Sequence, residues 1–204
     1  AKENQVKRRL PASERRKVIL DAALHTFVEF GYHGALMETI AERAEVTKPI
    51  LYRHFPSKMD LLLAIIDQAG EEIRAGLVEP GVKGLDWREL IAHDVHAYLD
   101  FISKRGITFQ LLYNTDIHVD ERVFERVRAL RKSVVDLTAE RIQSNTDISL
   151  FPPRNIRVIT VLIVGMVESA AIHWLEDKDE PLEVYEEHLV RCITSILAKL
   201  PPRG

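Results

Sequence analysis

Residues 37–58 read METIAERAEVTKPILYRHFPSK, and this stretch decides the fold. Within it Met37, Ile40, Ala41 and Ala44 recur at helical spacing. This spacing predicts a short helix with one apolar stripe, which stops near Glu45.

A second short helix follows after a tight turn. Thr47 offers a hydroxyl for the N-cap, and Pro49 suits the first helical turn, where a missing N–H costs little. We therefore predict the second helix over residues 48–55. Two short helices joined by a tight turn form a helix-turn-helix, in which the second helix can enter the major groove of DNA.

The two faces of the second helix follow from its rotation of roughly 100° per residue. Leu51 and Phe55 fall on the inward face, whereas Pro49, Ile50 and Arg53 lie on the outward one. Arginine can bond a guanine edge through two N–H groups, and small apolar side chains can pack on thymine methyl groups. The predicted base contacts are Lys48 at the helix tip, Pro49, Ile50 and Arg53.

Other polar side chains around this helix are candidates for phosphate contacts, which set the register on DNA without reading its sequence. The predicted phosphate contacts are Thr47, Tyr52, His54, Lys58 and Arg16. For Tyr52 and His54, the alternative is that both rings simply close a small core. Arg16 belongs to a basic group with Arg15 and Lys17, which would flank the DNA backbone or form a solvated face.

The distribution of charge agrees with an anionic partner for this region. The chain has 204 residues, of which 46% are apolar and 29% charged, as suits one or two compact soluble domains. Its formal net charge is −3, but residues 1–58 hold eleven Lys/Arg and seven Asp/Glu, a net +4. A single cysteine, Cys192, and a polar N-terminus without an apolar signal segment favour a reducing cytoplasm.

Residues 13–63 resemble the TetR family of bacterial transcriptional regulators. The resemblance is carried by Ile19, Ala22, Ala23, Phe27, Gly31, Tyr32, Ile40, Ala41, Ala44, Val46, Thr47, Lys48, Leu51, Tyr52, His54, Phe55, Lys58 and Leu61. Three positions depart from the family pattern. The family usually has a Thr-Ser or Thr-Thr pair in place of Ala35 and Leu36, a glycine in place of Glu45, and a small or hydroxylic residue in place of Ile50.

The remaining chain predicts further helices and no strand. We expect helices over 14–30, 58–77, 86–104, 108–115, 120–145, 153–176 and 182–200, with Val18 and Phe30 among the buried residues of the first. The predicted fold class is all-α. An N-terminal arm and helix-turn-helix domain would span residues 1–56, and a helical ligand-binding and dimerisation domain residues 57–204.

Two C-terminal helices are predicted to form a dimer interface. From residue 158 to 175 apolar side chains cover nearly the whole helix circumference, which predicts burial on all sides. A membrane span is the competing interpretation, but Glu168 and His173 interrupt a run that is barely long enough. Two such helices, doubled by a two-fold axis, would make a four-helix interface, and the resemblance implies the same. The predicted interface residues are Val164, Ala171, Leu189, Cys192, Ile193 and Ile196.

Aromatic side chains with a few polar tips are concentrated in the middle helices. This composition is typical of a small-molecule pocket and also of an ordinary helical core, and the resemblance favours a pocket for a largely apolar effector. The predicted lining is Trp87, His96, Phe101, Phe109, Tyr113, Glu168 and His173. A carboxylate such as Glu168 inside an apolar helix must pair, bind a ligand or change its pKa; a salt bridge to Arg191 or His188 is the alternative.

Sequence motifs of enzymes are not found. His93 and His96 share a helix face near several aspartates, which is only a weak indication of a metal site, and there is no HExxH, GxSxG or glycine-rich phosphate loop. We therefore predict no catalysis, no metal and no cofactor. The predicted function is that of a cytoplasmic homodimer without membrane contact, bound to a palindromic double-stranded DNA operator and released by a small-molecule effector. The alternative is a helical carrier or sensor that never binds DNA.

Overall fold

The computed structural model describes residues 11–77, 85–113, 120–145 and 153–198, and no strand occurs within these ranges. Their helices, in chain order, are α1 (Ala12–Gly34), α2 (Met37–Arg43), α3 (Lys48–His54), α4 (Lys58–Leu77), α5 (Trp87–Tyr113), α6 (Glu121–Asn145), α7 (Pro153–Asp177) and α8 (Leu182–Ala198). The prediction of an all-α fold is confirmed. The N-terminal arm and the predicted helix ends at Thr115 and Leu200 lie outside the described residues.

Helix α1 is longer than predicted because the chain continues for another turn past Gly31. This glycine has φ 68° and ψ 167°, a left-handed backbone conformation that glycine adopts without steric penalty. The kink returns Tyr32 onto Phe27, with ring centroids 5.8 Å apart. Phe30 is consequently left exposed, and Val18 lies outside the buried stripe of α1. The prediction that these two side chains are buried was wrong.

The turn between α2 and α3 forms without the usual glycine. Glu45 occupies it with φ 51°, although a left-handed conformation costs a non-glycine residue about 1–2 kcal/mol. Two backbone hydrogen bonds close the turn, from the Glu45 N–H to the Glu42 carbonyl and from the Val46 N–H to the Ala41 carbonyl, both 3.0 Å long. The departure from the family pattern therefore changes the residue and leaves the backbone path in place.

Helix α4 connects the helix-turn-helix to the rest of the chain. Its 20 residues form a rod of about 30 Å. Ser57 caps its N-terminus, as its Oγ accepts the Asp60 N–H at 3.2 Å and donates to the Asp60 carboxylate at 2.7 Å. The helix packs against α1, α5 and α6. Its contact with α6 is close at Gly70, where an added Cβ would lie 3.0 Å from Leu130 Cδ1.

Helix α5 is one kinked element rather than the two predicted helices. The kink lies at Arg105, with φ −126° and ψ 28°. Gly106, next to it, does not end the helix. It allows a close approach to α7 instead, since a Cβ at this position would lie 2.9 Å from Leu175 Cδ2.

Helix α7 packs one side into the core and leaves an apolar side exposed. Ile163, Val167 and Ala171 are buried, whereas Val158 and Leu162 are exposed. The prediction that α7 is buried on all sides was therefore wrong for the single chain. Among the described residues, the segment Ile156–Asp177 is long and apolar enough to cross a membrane by length and composition alone, and 22% of its apolar stretch is buried within the chain.

Candidate DNA-binding surface and effector cavity

Helix α3 exposes the face that the sequence predicts. Leu51 is completely buried and Phe55 nearly so. Pro49 and Arg53 are exposed, and Ile50 is half-buried at the edge of this face. The helix therefore presents a short surface that combines a guanidinium group with small apolar side chains.

The Thr47 hydroxyl does not cap the N-terminus of α3 as expected. The Thr47 carbonyl accepts the N–H groups of Ile50 and Leu51 at 2.9 and 3.0 Å, and the Thr47 side chain makes no capping hydrogen bond. Thr47 is exposed next to the helix tip, where its hydroxyl stays a predicted phosphate contact. Lys48 follows it and forms an ion pair with Glu38 of α2, with 2.7 Å between Nζ and Oε1.

Tyr52 and His54 differ in exposure. Tyr52 is 44% exposed, which leaves its hydroxyl accessible to a phosphate. His54 is half-buried, and its Nε2 is buried without a hydrogen-bond partner among the described residues. Burial, together with the positive charges of Arg53 and Arg15, lowers the pKa of His54. The geometry therefore agrees with a phosphate contact for Tyr52 and with the alternative of core closure for His54.

Lys58 holds the end of α1 instead of extending toward the surface of α3. Its Nζ donates to the carbonyl oxygens of His33 at 3.1 Å and Ala35 at 2.8 Å. The same ammonium lies 4.9 Å from the centroid of the Tyr32 ring, and burial lowers the pKa of Lys58. The ammonium group of Lys58 is thus hydrogen-bonded within the protein. This arrangement does not agree with the predicted phosphate contact of Lys58.

Arg16 is placed at the edge of the α3 surface by the ring that anchors α3. Its Cζ lies 4.9 Å from the centroid of the Phe55 ring. A guanidinium over an aromatic face is attracted by the ring quadrupole. Arg16 is exposed in this position, so its predicted contact with a phosphate is sterically possible.

Among the described side chains, the residues predicted to line the effector pocket do not surround a common cavity. Phe101 and Phe109 belong to the core, and Trp87 is half-buried beside Arg88, whose guanidinium lies 4.2 Å from the ring centroid. His96 is exposed and lies 3.1 Å from a carboxylate oxygen of Glu186.

Nor do the other described side chains of the predicted pocket, those of His173 and Glu168, complete such a site. His173 is exposed near Asp179, and the side chain of Tyr113 lies outside the described residues. Glu168 has 18% of its side chain exposed and lies 3.9 Å from Arg131 Nε. The carboxylate thus has an ion partner, which is Arg131 and not the expected Arg191 or His188.

A different cavity lies between α4, α5, α6 and α7. Its volume is about 40 Å³, and the lining is almost entirely apolar. A cavity needs about 10–15 Å³ to hold one water, so this cavity is large enough for a few waters. The lining residues are Leu77, Ile91, Asp94, Val95, Tyr98, Val134, Thr138, Ile163, Val164 and Val167.

A buried ion pair borders this cavity. Arg141 of α6 donates to both carboxylate oxygens of Asp94 on α5, at 2.6 and 3.0 Å, and both side chains are nearly buried. His93 Nδ1 also lies 3.2 Å from an oxygen of Asp94. Breaking a buried pair leaves an uncompensated charge, so this contact fixes α5 against α6 at the cavity wall.

The predicted dimer interface is only partly exposed. Val164, Ala171, Leu189 and Ile193 are buried within the chain, so a partner cannot reach them; only Cys192 and Ile196 are accessible. The prediction placed the interface on the inward side of α7, because both sides of this helix are apolar. We define the α7–α8 face as the exposed residues Val158, Val161, Leu162, Gly165, Ser169, Cys192 and Ile196.

The α7–α8 face has the spacing and exposure of a helix-packing surface. Its α7 members recur at intervals of three and four residues, which places them in one row. Val158 and Leu162 are 60% and 63% exposed. At Gly165 an added Cβ would meet nothing within 4 Å, so another helix could approach closely. A contiguous exposed apolar patch of this kind marks an interaction surface.

Some functional candidates carry no recognisable signal in the sequence. Asp94, Tyr98 and Thr138 are polar residues in the wall of the cavity, but their helices show many equivalent polar positions. The ion pair of Glu38 with Lys48 could have been predicted, because Glu38 lies in the first turn of α2, close to the tip of α3. Within the described ranges, no group of three His, Cys, Asp or Glu side chains is arranged to hold a metal ion.

These features define a helix-turn-helix protein with an exposed recognition helix and a helical domain that contains a cavity. Residues 19–65 match the model of bacterial regulatory proteins of the tetR family, and residues 87–196 match a tetracyclin repressor-like C-terminal domain. The chain belongs to the tetR family of bacterial regulatory proteins. It is a DNA-binding transcriptional regulator, and regulators of this family bind DNA operators and small-molecule effectors and act as dimers.

Individual relatives extend the comparison. The transcriptional activator FasR of Mycolicibacterium smegmatis is 31% identical over 175 residues, which cover 86% of this chain and 78% of FasR. The transcriptional repressor KstR of Rhodococcus jostii is 41% identical over 83 residues, 40% of this chain and 39% of KstR. A TetR-like transcriptional regulator from Rhodococcus sp. RHA1 has 27% identity and a TM-score of 0.76, covering 94% of this chain and 100% of that one.

The lowered pKa of His54 predicts a pH-dependent stability. Unfolded histidine titrates near pH ~6.5, and a lower pKa in the fold means that the unfolded chain binds more protons below that pH. The free energy of unfolding should therefore fall as the pH drops from about 6.5 toward the pKa of folded His54. Urea unfolding at about pH 5 and about pH 7.5, at one protein concentration, should show a smaller pH effect for His54→Gln than for wild type.

Replacement of the exposed His25 by Gln provides the matched control for this measurement. His25 Nδ1 lies near the Asp21 backbone carbonyl and carboxylate on the outer side of α1. An equal change of pH dependence in both variants would show that the burial of His54 is not its source.

Proposed function

We propose that two copies of the chain place their α3 helices in successive major grooves of a palindromic operator, about 34 Å apart. The exposed face of α3 supports this proposal most directly, because Leu51 and Phe55 fix its rotation and leave Arg53 and Pro49 outward. Lys48 and Ile50 complete the proposed base contacts. The proposal retains phosphate contacts for Thr47, Tyr52 and Arg16, and assigns to Lys58 the role of holding α1 against α4.

The proposed division of labour follows the two parts of the chain. Residues 1–56 would bind DNA, and residues 57–204 would bind the effector and form the dimer. The charge distribution supports this division, since the first 58 residues carry a net +4 and the whole chain −3. We further propose that the regulator acts in the cytoplasm, with the apolar side of α7 covered by a partner chain and not by lipid.

The roles within α3 can be separated by mutation. Arg53→Ala should cost about 1–3 kcal/mol on the operator and relax discrimination at one base pair, because a bidentate base contact is lost. Tyr52→Phe should weaken binding to all sequences alike, by about 0.5–1.5 kcal/mol, because only a phosphate contact is lost. Fluorescence anisotropy with single-base variants of the operator, at one salt concentration, measures both effects. Uniform losses in both variants would contradict the assigned roles.

The α7–α8 face is the proposed dimer interface. Leu162 lies in the middle of it and is highly exposed, so a charge there would have to be desolvated on association. Leu162→Glu should therefore sediment as a monomer of 23.4 kDa, while the wild type sediments at twice that mass. Val28→Glu places the same charge on an exposed apolar residue of α1 and should remain a dimer. A dimeric Leu162→Glu chain would exclude this face as the interface.

The cavity between α4 and α7 is the proposed effector site. Its almost entirely apolar lining suits a largely apolar molecule. Because the space admits only a few waters, an effector must push the surrounding helices apart. Movement of α6 would reach α4 through the Arg126–Asp67 ion pair, which is 2.9 Å long, and through the Gly70–Leu130 contact.

We propose repression as the direction of regulation, with the effector releasing the operator. KstR, which matches 40% of this chain, is a named repressor, whereas FasR, which matches 86% of it, is a named activator. A reporter gene placed behind the DNA that lies upstream of the gene for this chain distinguishes repression from activation. The chain should lower expression, and an increase instead would identify an activator.

The same reporter tests the effector site. Val134 lines the cavity, and Val134→Phe would fill it, with an overpacking cost of about 1–3 kcal/mol. Apolar compounds that restore expression with wild type should fail with Val134→Phe, which should still repress. Val135→Phe alters the neighbouring, half-buried position outside the cavity lining and should respond like wild type. A normal response of Val134→Phe would place the effector elsewhere.

A further inference from the structure

The tip of the recognition helix is engaged by an acidic residue of the preceding helix. Glu38, in the first turn of α2, lies 2.7 Å from the Nζ of Lys48, the first residue of α3. The hydrogen bond lowers the pKa of Glu38 and raises that of Lys48. Tyr52 and Glu42 are close enough to act on the same ammonium electrostatically. Lys48 therefore lies between the carboxylates of Glu38 and Glu42 on α2 and the exposed face of α3.

This ion pair contributes little to the stability of the fold. The two side chains are 56% and 45% exposed, and pairs with such exposure are typically worth between 0 and about 1 kcal/mol. Its position is the informative property, because the pair lies beside the surface that we propose to face DNA. There a carboxylate opposes the approach of phosphate groups and occupies a cation that phosphate would otherwise bind.

We propose that Glu38 sets the specificity of DNA binding by competing with phosphate for the ammonium group of Lys48. On DNA of arbitrary sequence, Lys48 gains a phosphate only by giving up Glu38, so the net gain is small. On the operator, a second of the three N–H groups of Lys48 donates to a neutral base edge while the first stays with Glu38, so this contact does not require the loss of the pair. Discrimination arises from weakening the wrong complexes as well as from strengthening the right one.

This proposal rests on the proposed orientation of α3 toward DNA. It assigns to Glu38 a role opposite in sign to that of a DNA-contacting residue. Removing its charge should strengthen binding, and chiefly to the wrong sequences.

The test is Glu38→Gln, measured by titration of a random-sequence duplex and of the operator recovered by wild type from random DNA. With one more phosphate contact, the slope of log K against log salt for the random duplex should steepen by about 0.9. The affinity gain should then be about 3.5-fold larger at about 50 mM than at about 200 mM salt. Because the operator affinity should stay unchanged, the ratio of operator to random affinity should fall about 3.5-fold more at about 50 mM than at about 200 mM salt.

Two further variants isolate the role of Lys48. Glu29→Gln removes one negative charge from another exposed ion pair of the same domain, that of Glu29 with Arg43, and should leave the random-duplex slope as in wild type. In a Lys48→Gln background, Glu38→Gln should have no remaining effect on the slope. Circular dichroism and thermal melting confirm that every variant is folded before titration.

The possible outcomes are separable. If wild type binds neither duplex, the proposed orientation of α3 fails. If wild type binds but Glu38→Gln behaves like Glu29→Gln, or weakens operator binding, Glu38 does not compete with phosphate. If the effect persists without Lys48, simple charge repulsion replaces competition, and the proposal is overturned.

Discussion

The burial of Leu51 and Phe55 is the constraint on which the DNA-binding surface depends. A helix of seven residues is too short to be stable in isolation, so α3 exists only through its packing. Burial of each of these side chains stabilises it by about 1.5–3 kcal/mol. Because they lie four residues apart, they fix the rotation of the helix as well as its position. The outward placement of Arg53 and Pro49 follows from this rotation, and the Phe55 ring also positions Arg16.

The same packing makes α4 the mechanical link to the cavity. Helix α4 begins directly after Phe55 and ends at Leu77, which lines the cavity, so its two ends belong to the two proposed functions. Allosteric coupling is typically worth only about 1–3 kcal/mol, and half-exposed ion pairs such as Arg126–Asp67 supply little of it. The close contact of Gly70 with Leu130 is better suited to transmit a displacement, because packed surfaces resist compression.

The sequence predicts those features of the site that depend on local periodicity. The face of α3 and the end of α2 follow from residues within one or two turns. The cavity does not, because Asp94, Tyr98 and Thr138 meet only through the relative placement of α5 and α6. The dimer face was misassigned for a related reason: α7 is apolar on both sides, so periodicity could not tell Val164 from Leu162. The partner of Lys58 could not be predicted from the sequence either. The carbonyls of His33 and Ala35 lie next to its ammonium group because α1 continues past the kink at Gly31.

The charge of the N-terminal region overstates the charge available to DNA. Of its cations, Lys48 is paired with Glu38, and Lys58 donates to two backbone carbonyls. Each of these interactions must be broken before its cation can bind a phosphate. A net charge of +4 therefore does not translate into equally strong binding to any duplex. A surface of this kind gains affinity only where several contacts form at once. Selectivity in this regulator is therefore limited less by how many positive side chains it carries than by which of them the fold has already engaged.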